Sequence, residues 1–371
     1  MKTTLHTVCL SLLLSTCAVF AGQQQPLYQV SLFYKQQASV KYIGGDAIEG
    51  TGYYLALGMN NRNEVIGSSE SGDYSQRNLQ ILPVSIVKGV AHVFNDTPFN
   101  GPEVLAGFSS INDLGEIVGW QINIAGQHEY CFIIRPSGPA AGFRMLPAQF
   151  SGVVVNNLGT IAGQQGNAAL PGDPGPGFIY KNGLVTSING PVVAINNRDQ
   201  VVGFYYTTPV QRVTHTFLYS HGQYTDLGVP ASATSVYPNH INDSAEIVGQ
   251  ITYPFTENFN GVLVQTTVDH PFLYKNGKLE DLGLPPGETS ADVVGFNNSG
   301  TIVGSTGSGT NPWIYTNGKY QFLKDVIPAG YVIYDVVAIN DQGQILVDAQ
   351  KASPTFSKDM FLLTPSSQKH H

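Results

Sequence analysis

The chain has 371 residues, a formal net charge of −8 and only 12% charged residues. The two signs are scattered without a basic patch, which excludes nucleic acid as an expected partner. Forty-one glycines and 22 prolines, beside many Tyr, Phe, Val and Ile, read as short strands joined by frequent turns, with no amphipathic helix of ordinary length.

In chain order, Lys2 and the apolar run "VCLSLLLSTCAVFA" read as a secretory signal peptide over residues 1–21, with cleavage near Ala21. A lipoprotein alternative would use Cys17, but Thr16 is a poor residue before a lipidated cysteine. The run is short for a membrane span, and no later stretch is long enough. The expected protein is therefore exported, extracellular or periplasmic, with no transmembrane segment. Cleavage leaves Cys131 as the last cysteine, so no intrachain disulfide is possible. Cys131 lies in the apolar "EYCFIIR" and reads as a buried, inert thiol. Next, "LYQVSLFYK" at 27–35 reads as a lone strand.

Seven related nonapeptides follow: "MNNRNEVIG", "INDLGEIVG", "VNNLGTIAG", "INNRDQVVG", "INDSAEIVG", "FNNSGTIVG" and "INDQGQILV". Their second residue is always Asn: Asn60, Asn112, Asn156, Asn196, Asn242, Asn297 and Asn340. The third is always Asn or Asp. The fifth is Gly, Asn or Asp in every copy but one, and these residues tolerate positive φ. An Asx-rich start followed by a left-handed position predicts a tight hairpin, a type I turn with a glycine bulge. Ala245 is the exception and should be strained. A calcium loop is the rival reading, but calcium needs several converging carboxylates and "VNNLGT" and "FNNSGT" contain none. No metal and no cofactor is expected.

A second unit recurs after each turn: "AHVFN", "YCFIIR", "GFIYKNG", "HTFLYSHG", "HPFLYKNG", "PWIYTNG" and "DMFLLTP". A third follows in "FRMLP", "YTDLG", "LEDLG" and "YQFLKD", with weaker copies at "PEVLA" and "LVTSI". Each repeat thus reads as strand A, turn, strand B, strand C, turn, strand D. Successive invariant asparagines are 52, 44, 40, 46, 55 and 43 residues apart. A four-stranded unit at this period predicts an all-β, seven-bladed β-propeller, one domain over residues 22–371. The seventh blade lacks its D strand. The strand at 27–35 is predicted to supply it and to close the ring. Strand A should line the channel, since the residue two before the invariant Asn is mostly small, except His240.

At this point "THTFLYSHGQYTDLG…INDSAEIVGQ" and "DHPFLYKNGKLEDLG…FNNSGTIVGS" resemble the extracellular HAF-repeat family. The pattern keeps His at His92, His215 and His270, but not at Tyr130, Pro176, Asn311 or Asp359, and Val347 replaces the last Gly. The resemblance implies an exported repeat protein with no established reaction.

Function is expected on the variable B–C connections, because rigid scaffolds carry recognition on their variable loops. Trp120, Phe204, Tyr205, Tyr206, Tyr253, Phe255 and Phe259 collect there and suit sugar stacking or protein hot spots. His240 is a further candidate, near the channel mouth, with a hydrogen bond inside its own blade as the plainer reading. His92, His215 and His270 recur at one position and read as structural. Glu64, Glu116 and Glu246 share a repeat position and read as surface residues. No nucleophile elbow, zinc-protease motif or phosphate loop is present, so no catalytic residue is assigned. The expected protein is a monomeric, non-enzymatic propeller that binds a protein or a glycan. The alternative is a glycan-acting hydrolase or lyase at the channel mouth, which a His–carboxylate or paired-carboxylate cluster near His240 would favour.

Overall fold

The computed structural model describes residues 26–35, 41–43, 47–49, 53–71, 80–94, 104–123, 128–136, 142–147, 150–165, 175–207, 213–259, 261–306, 311–351 and 359–366. The signal-peptide segment 1–21 lies outside them. Among the described residues no helix is long and apolar enough to cross a membrane, which says nothing of strands.

The fold is an all-β propeller of antiparallel four-stranded meanders. Repeat two shows the plan: Val104–Ile111, Ile117–Asn123, His128–Arg135 and Gly142–Met145 pair in chain order. The B strands are buried on both faces, as at Ile302–Thr306 and Ile345–Lys351, and therefore read as near-continuous apolar runs. The D strands are outermost; Gly142–Met145 and Gln223–Asp226 are exposed throughout. The Gly of each "IVG" has a steric reason. A Cβ at Gly203, Gly249 or Gly304 would run into the A-strand carbonyl on one side and into Phe217, Phe272 or Trp313 on the other. The glycine seats the aromatic ring of strand C.

Seven separate four-stranded sheets were expected, but five are present. Repeats four and five share one eight-stranded sheet, because a single parallel bridge, Thr214 to Ser235, joins strand C of one to strand A of the next. Thr216 Oγ1 donates to the Val236 carbonyl at 2.8 Å beside it. Repeat one differs from its expected register. "AHVFN" is not strand C; strand C is Gln80–Val87 and His92 lies on strand D, Val90–Val93. "PEVLA" belongs to strand A of repeat two. The first strand, Tyr28–Tyr34, pairs antiparallel with Asp359–Pro365, making a four-stranded sheet with Tyr331–Ile339 and Ile345–Lys351. Lys41–Ile43 and Ala47–Glu49 form a small separate hairpin.

The core lies between repeats rather than within them. One apolar cluster sits at each junction of successive repeats. A further one joins Val65, Val84 and Ile86 of repeat one to Leu346 and Met360 of repeat seven. Such a unit cannot bury both faces alone, so its stability comes from its neighbours. Cys131 is buried in one such junction, and its thiol donates to the Phe150 carbonyl at 2.9 Å.

Candidate functional site

The seven A–B turns gather on one face of the propeller. The fifth residue of each has positive φ, from Asp199 at 57° to Gly300 at 84°, with Ala245 at 59°. All seven invariant asparagines are buried, at 3–4% exposure. Each side-chain oxygen accepts two backbone N–H groups of its own turn, as Asn112 Oδ1 does from Leu114 and Glu116 at 3.0 and 2.9 Å. In five of them the amide nitrogen donates across to the backbone carbonyl of the next invariant asparagine, as Asn112 Nδ2 does to Asn156 at 2.9 Å and Asn156 Nδ2 to Asn196 at 2.8 Å, and Asn340 Nδ2 crosses to Asn63 Oδ1 at 3.0 Å. Only a short side chain with both an acceptor and two donors does this, which excludes Asp and Gln.

Glu64, Glu116 and Glu246 correct the surface reading. Each accepts an amide proton of its asparagine, at 2.8, 2.7 and 2.7 Å. Burial raises the Glu246 carboxyl, but hydrogen bonds from Lys275 and Asn242, with the lysine charge, outweigh it and hold the group below the usual range.

The third residues form a second circle. Each backbone N–H donates to the side-chain oxygen of the next: Asn61 to Asp113, Asp113 to Asn157, Asn157 to Asn197, Asn197 to Asp243, Asp243 to Asn298, Asn298 to Asp341, and Asp341 back to Asn61, all at 2.7–2.8 Å. The asparagine amides also donate to the aspartates: Asn61 and Asn157 both reach Asp113 Oδ2. The circle rims a polar cavity of about 190 Å³. Its hydrogen-bonding groups are spent on one another, so the turns are scaffold. Among the described residues no group of three or more His, Cys, Asp or Glu converges as a metal site.

Strand B runs away from these turns, so the B–C connections lie on the opposite face. Of the sequence-predicted residues, Phe204 and Tyr206 come together there, with ring centroids 5.8 Å apart. Tyr237, which sequence reasoning missed, joins them 4.7 Å from Phe204. It sits in strand A, where side chains were assigned to the channel. Phe204 is buried, whereas Tyr206 and Tyr237 are each 37% exposed. Trp120 is half-buried against Gly107 and packs on the junction of repeats two and three. Phe255 is 50% exposed on the long hairpin of Ile247–Phe259 and Val262–Lys275, which replaces the expected loop at 250–269. The side chain of Phe259 lies outside the described residues.

Tyr205 and Tyr253 serve a different purpose. Tyr205 Oη donates to Asp226 Oδ2 at 2.8 Å, and His215 Nδ1 lies 3.0 Å from the same oxygen. Tyr253, His270 and Asp281 repeat the arrangement at 2.9 and 3.1 Å. Asp226 and Asp281 also accept the N–H of Gly228 and Gly283. These triads join strands B, C and D of one repeat, and account physically for the recurring His and the Asp of "DLG". Burial first, then the hydrogen bond to and charge of Asp226, push the Tyr205 phenol up to about 12; Asp281 does the same for Tyr253. Burial raises Asp226, but hydrogen bonds from Gly228, His215 and Tyr205 more than reverse it. Among the described residues His92 shows no such partner set; its ring meets Phe94 edge-on at 4.6 Å.

His240 bonds to the next repeat rather than inside its own. Its Nε2 donates to the Val294 carbonyl at 2.8 Å. Burial lowers its pKa and this hydrogen bond partly opposes the shift. Its partner is a carbonyl rather than a carboxylate, and the two His–carboxylate pairs among the described residues serve as strand ties, at the outer strands of their repeats.

No family model and no curated relative matches the chain. Among solved structures, it is similar to the β-propeller domain of the Trilobed protease from Pyrococcus furiosus, at 9% identity and a TM-score of 0.55, over 84% of this chain and 93% of that one. It is also similar to the acylaminoacyl peptidase of Pyrococcus horikoshii, at 11% identity and a TM-score of 0.53, over 84% of this chain and about half (51%) of that one. At such identities the likeness is one of fold alone, and that fold is an all-β propeller of four-stranded blades.

Proposed function

We propose that this chain is an exported, non-enzymatic propeller that binds a protein or glycan partner through its B–C face. The observation that carries the reading is the division of labour between faces. The A–B turns consume their polar groups in scaffold hydrogen bonds, while Tyr206 and Tyr237 stand exposed beside Phe204 on the other side. Exposed, supported aromatic rings suit stacking on sugars or anchoring in a protein interface.

The same proposal counts the eight-stranded sheet as two blades, giving seven around the axis over residues 22–371. The pairing of Tyr28–Tyr34 with Asp359–Pro365 and the apolar contact of repeats one and seven support closure of that ring by the N-terminal strand. The resemblance to the HAF-repeat family and the leader-like residues 1–21 support export.

The test is a glycan-array screen of the purified protein, with oligosaccharides followed by mass spectrometry for products. Binding without cleavage is expected for a glycan partner; the double variant Tyr206→Ala, Tyr237→Ala should then weaken it at least about tenfold with an unchanged melting temperature. Product formation would overturn the non-enzymatic reading, and full affinity in the variant would overturn the site.

A further inference from the structure

The hairpin of Ile247–Phe259 and Val262–Lys275 is much longer than its repeat needs. It leaves strand A at Thr252, the last residue paired to Ser235, and meets strand D only from Phe272. Between these points it is a two-stranded arm paired throughout, down to Phe259 opposite Val262. Directly opposed residues share a face and alternate residues switch it. Tyr253, Phe255, Val262, Val264 and Val268 therefore lie on one side, with Glu257 and Thr266 among them, and Thr256, Asn258, Leu263 and Gln265 on the other. Gln265 Nε2 donates to Thr256 Oγ1 at 2.9 Å on that polar side. Val262 and Leu263 near the tip are 64% and 69% exposed.

The two edges of the arm differ. The edge of Tyr253–Phe259 carries Pro254, which lacks an N–H, and Glu257. The edge of Val262–Val268 reads "VLVQTTV", with no charge, no Pro and no Gly. Proteins ordinarily guard an exposed edge with one of these, and an unguarded edge is a template for another strand. Its sequence is close to self-complementary about Gln265. Antiparallel pairing with itself sets Val262 against Val268, Val264 against Thr266, Leu263 against Thr267 and Gln265 against Gln265. Residues 262, 264, 266 and 268 keep their side, so the valines of the two edge strands become one stripe, with Glu257 of each copy held off on the outer strand opposite Val264. No like charges are opposed, although the chain as a whole is acidic.

We propose that this edge is a homodimer interface: two copies add their Val262–Val268 strands to each other across a two-fold axis at Gln265, forming a four-stranded sheet between two propellers. Each copy presents the same patch, as an isologous contact requires. This departs from the monomer expected from sequence.

The experiment is disulfide capture, with Cys9 and Cys17 replaced by Ser and Cys131 left buried. Two opposed residues of an antiparallel pair lie about 4.5–5.5 Å apart at Cα, within disulfide reach. Gln265→Cys should give a covalent dimer on mild oxidation, and Leu263→Cys should lag it at least roughly tenfold because Leu263 faces Thr267. Sedimentation velocity should show a dimer that Val264→Lys or Gln265→Pro converts to monomer, with circular dichroism unchanged. A monomer at all concentrations, with no covalent dimer from the Gln265→Cys variant, would overturn the proposal. Equal capture at positions 263 and 265 would overturn the register.

Discussion

At the scale of single residues, the side chains with the most hydrogen-bonding roles were partly legible. The seven asparagines stood out because the same residue recurs where a turn begins, and only an amide can serve both its own turn and the next repeat. The glutamates at Glu64, Glu116 and Glu246 were not legible as structural. A charged residue just after a turn ordinarily reads as solvated, and nothing in the sequence shows that an asparagine amide points at it. His240 was legible as unusual but not as an inter-repeat bond, because its acceptor lies 54 residues away. Replacing His240 by Ala strands the Val294 carbonyl and should cost about 1–3 kcal/mol. The pH dependence follows from its lowered pKa. The unfolded imidazole protonates near about pH 6.5, while the folded one resists protonation until lower pH. Between these values the unfolded state holds more protons, so stability falls as pH drops. Thermal melts from about pH 7 to 5 should show this decline, and His240→Gln should flatten it. An equal slope in the variant would show that another group titrates there.

At the scale of elements, turns were read best because their backbone geometry admits few residues. Asn182–Gly183, Asn276–Gly277 and Asn317–Gly318 all take positive φ at both residues, and Lys88–Gly89 does so without the Asn-Gly signature. That missing signature, with Pro83 inside Gln80–Val87, moved repeat one out of register, because proline argues against a strand. The arm hid a signal that was present. "FNGVLVQTTV" carries Asn-Gly before a β-rich run, yet its length read as a loop. Ala245 gives this scale its prediction. Holding an L-residue left-handed costs about 1–2 kcal/mol, and glycine loses about 0.5–1 kcal/mol of that in chain entropy. Ala245→Gly should therefore stabilise by up to about 1.5 kcal/mol, a rise of at most roughly 2 °C in a domain this large. A fall in melting temperature would mean that the turn relaxes without strain.

At the scale of the whole molecule, fold class was legible because period and composition repeat, whereas sheet boundaries were not. One backbone bridge, Thr214 to Ser235, merges two sheets, and no residue type announces it. The face proposed for binding was chosen by the variability of its connections. Its membership was not legible, since Tyr205 and Tyr253 look like loop aromatics and act as strand ties. The N-terminal strand gives the prediction here. Tyr28 is buried at the junction of repeats six and seven. Ser366 N–H donates to the Leu27 carbonyl at 2.8 Å, and Ser366 Oγ donates to the Pro26 carbonyl at 2.9 Å. Deleting residues 26–35 removes these contacts and bares the edge of Asp359–Pro365. Loss of a buried aromatic alone costs about 3–5 kcal/mol, so the melting temperature should drop by several degrees in a single transition. Loss confined to a minor early transition would show that repeat seven frays independently.

The Asx circle raises a question of parity. Its members run Asn61, Asp113, Asn157, Asn197, Asp243, Asn298 and Asp341. Two kinds of member cannot alternate strictly around an odd number of places, so two neighbours must be alike. Here the unavoidable mismatch falls on Asn157 and Asn197, two neutral amides, and each carboxylate keeps an amide on either side. Adding or losing one repeat would change the parity. Loss of repeat three or four would leave six members in perfect alternation. Loss of repeat two, five or seven would leave a smaller even circle with only two carboxylates and further amide pairs. The number of repeats and the choice of Asn or Asp at one turn are thus bound by arithmetic rather than by any local contact.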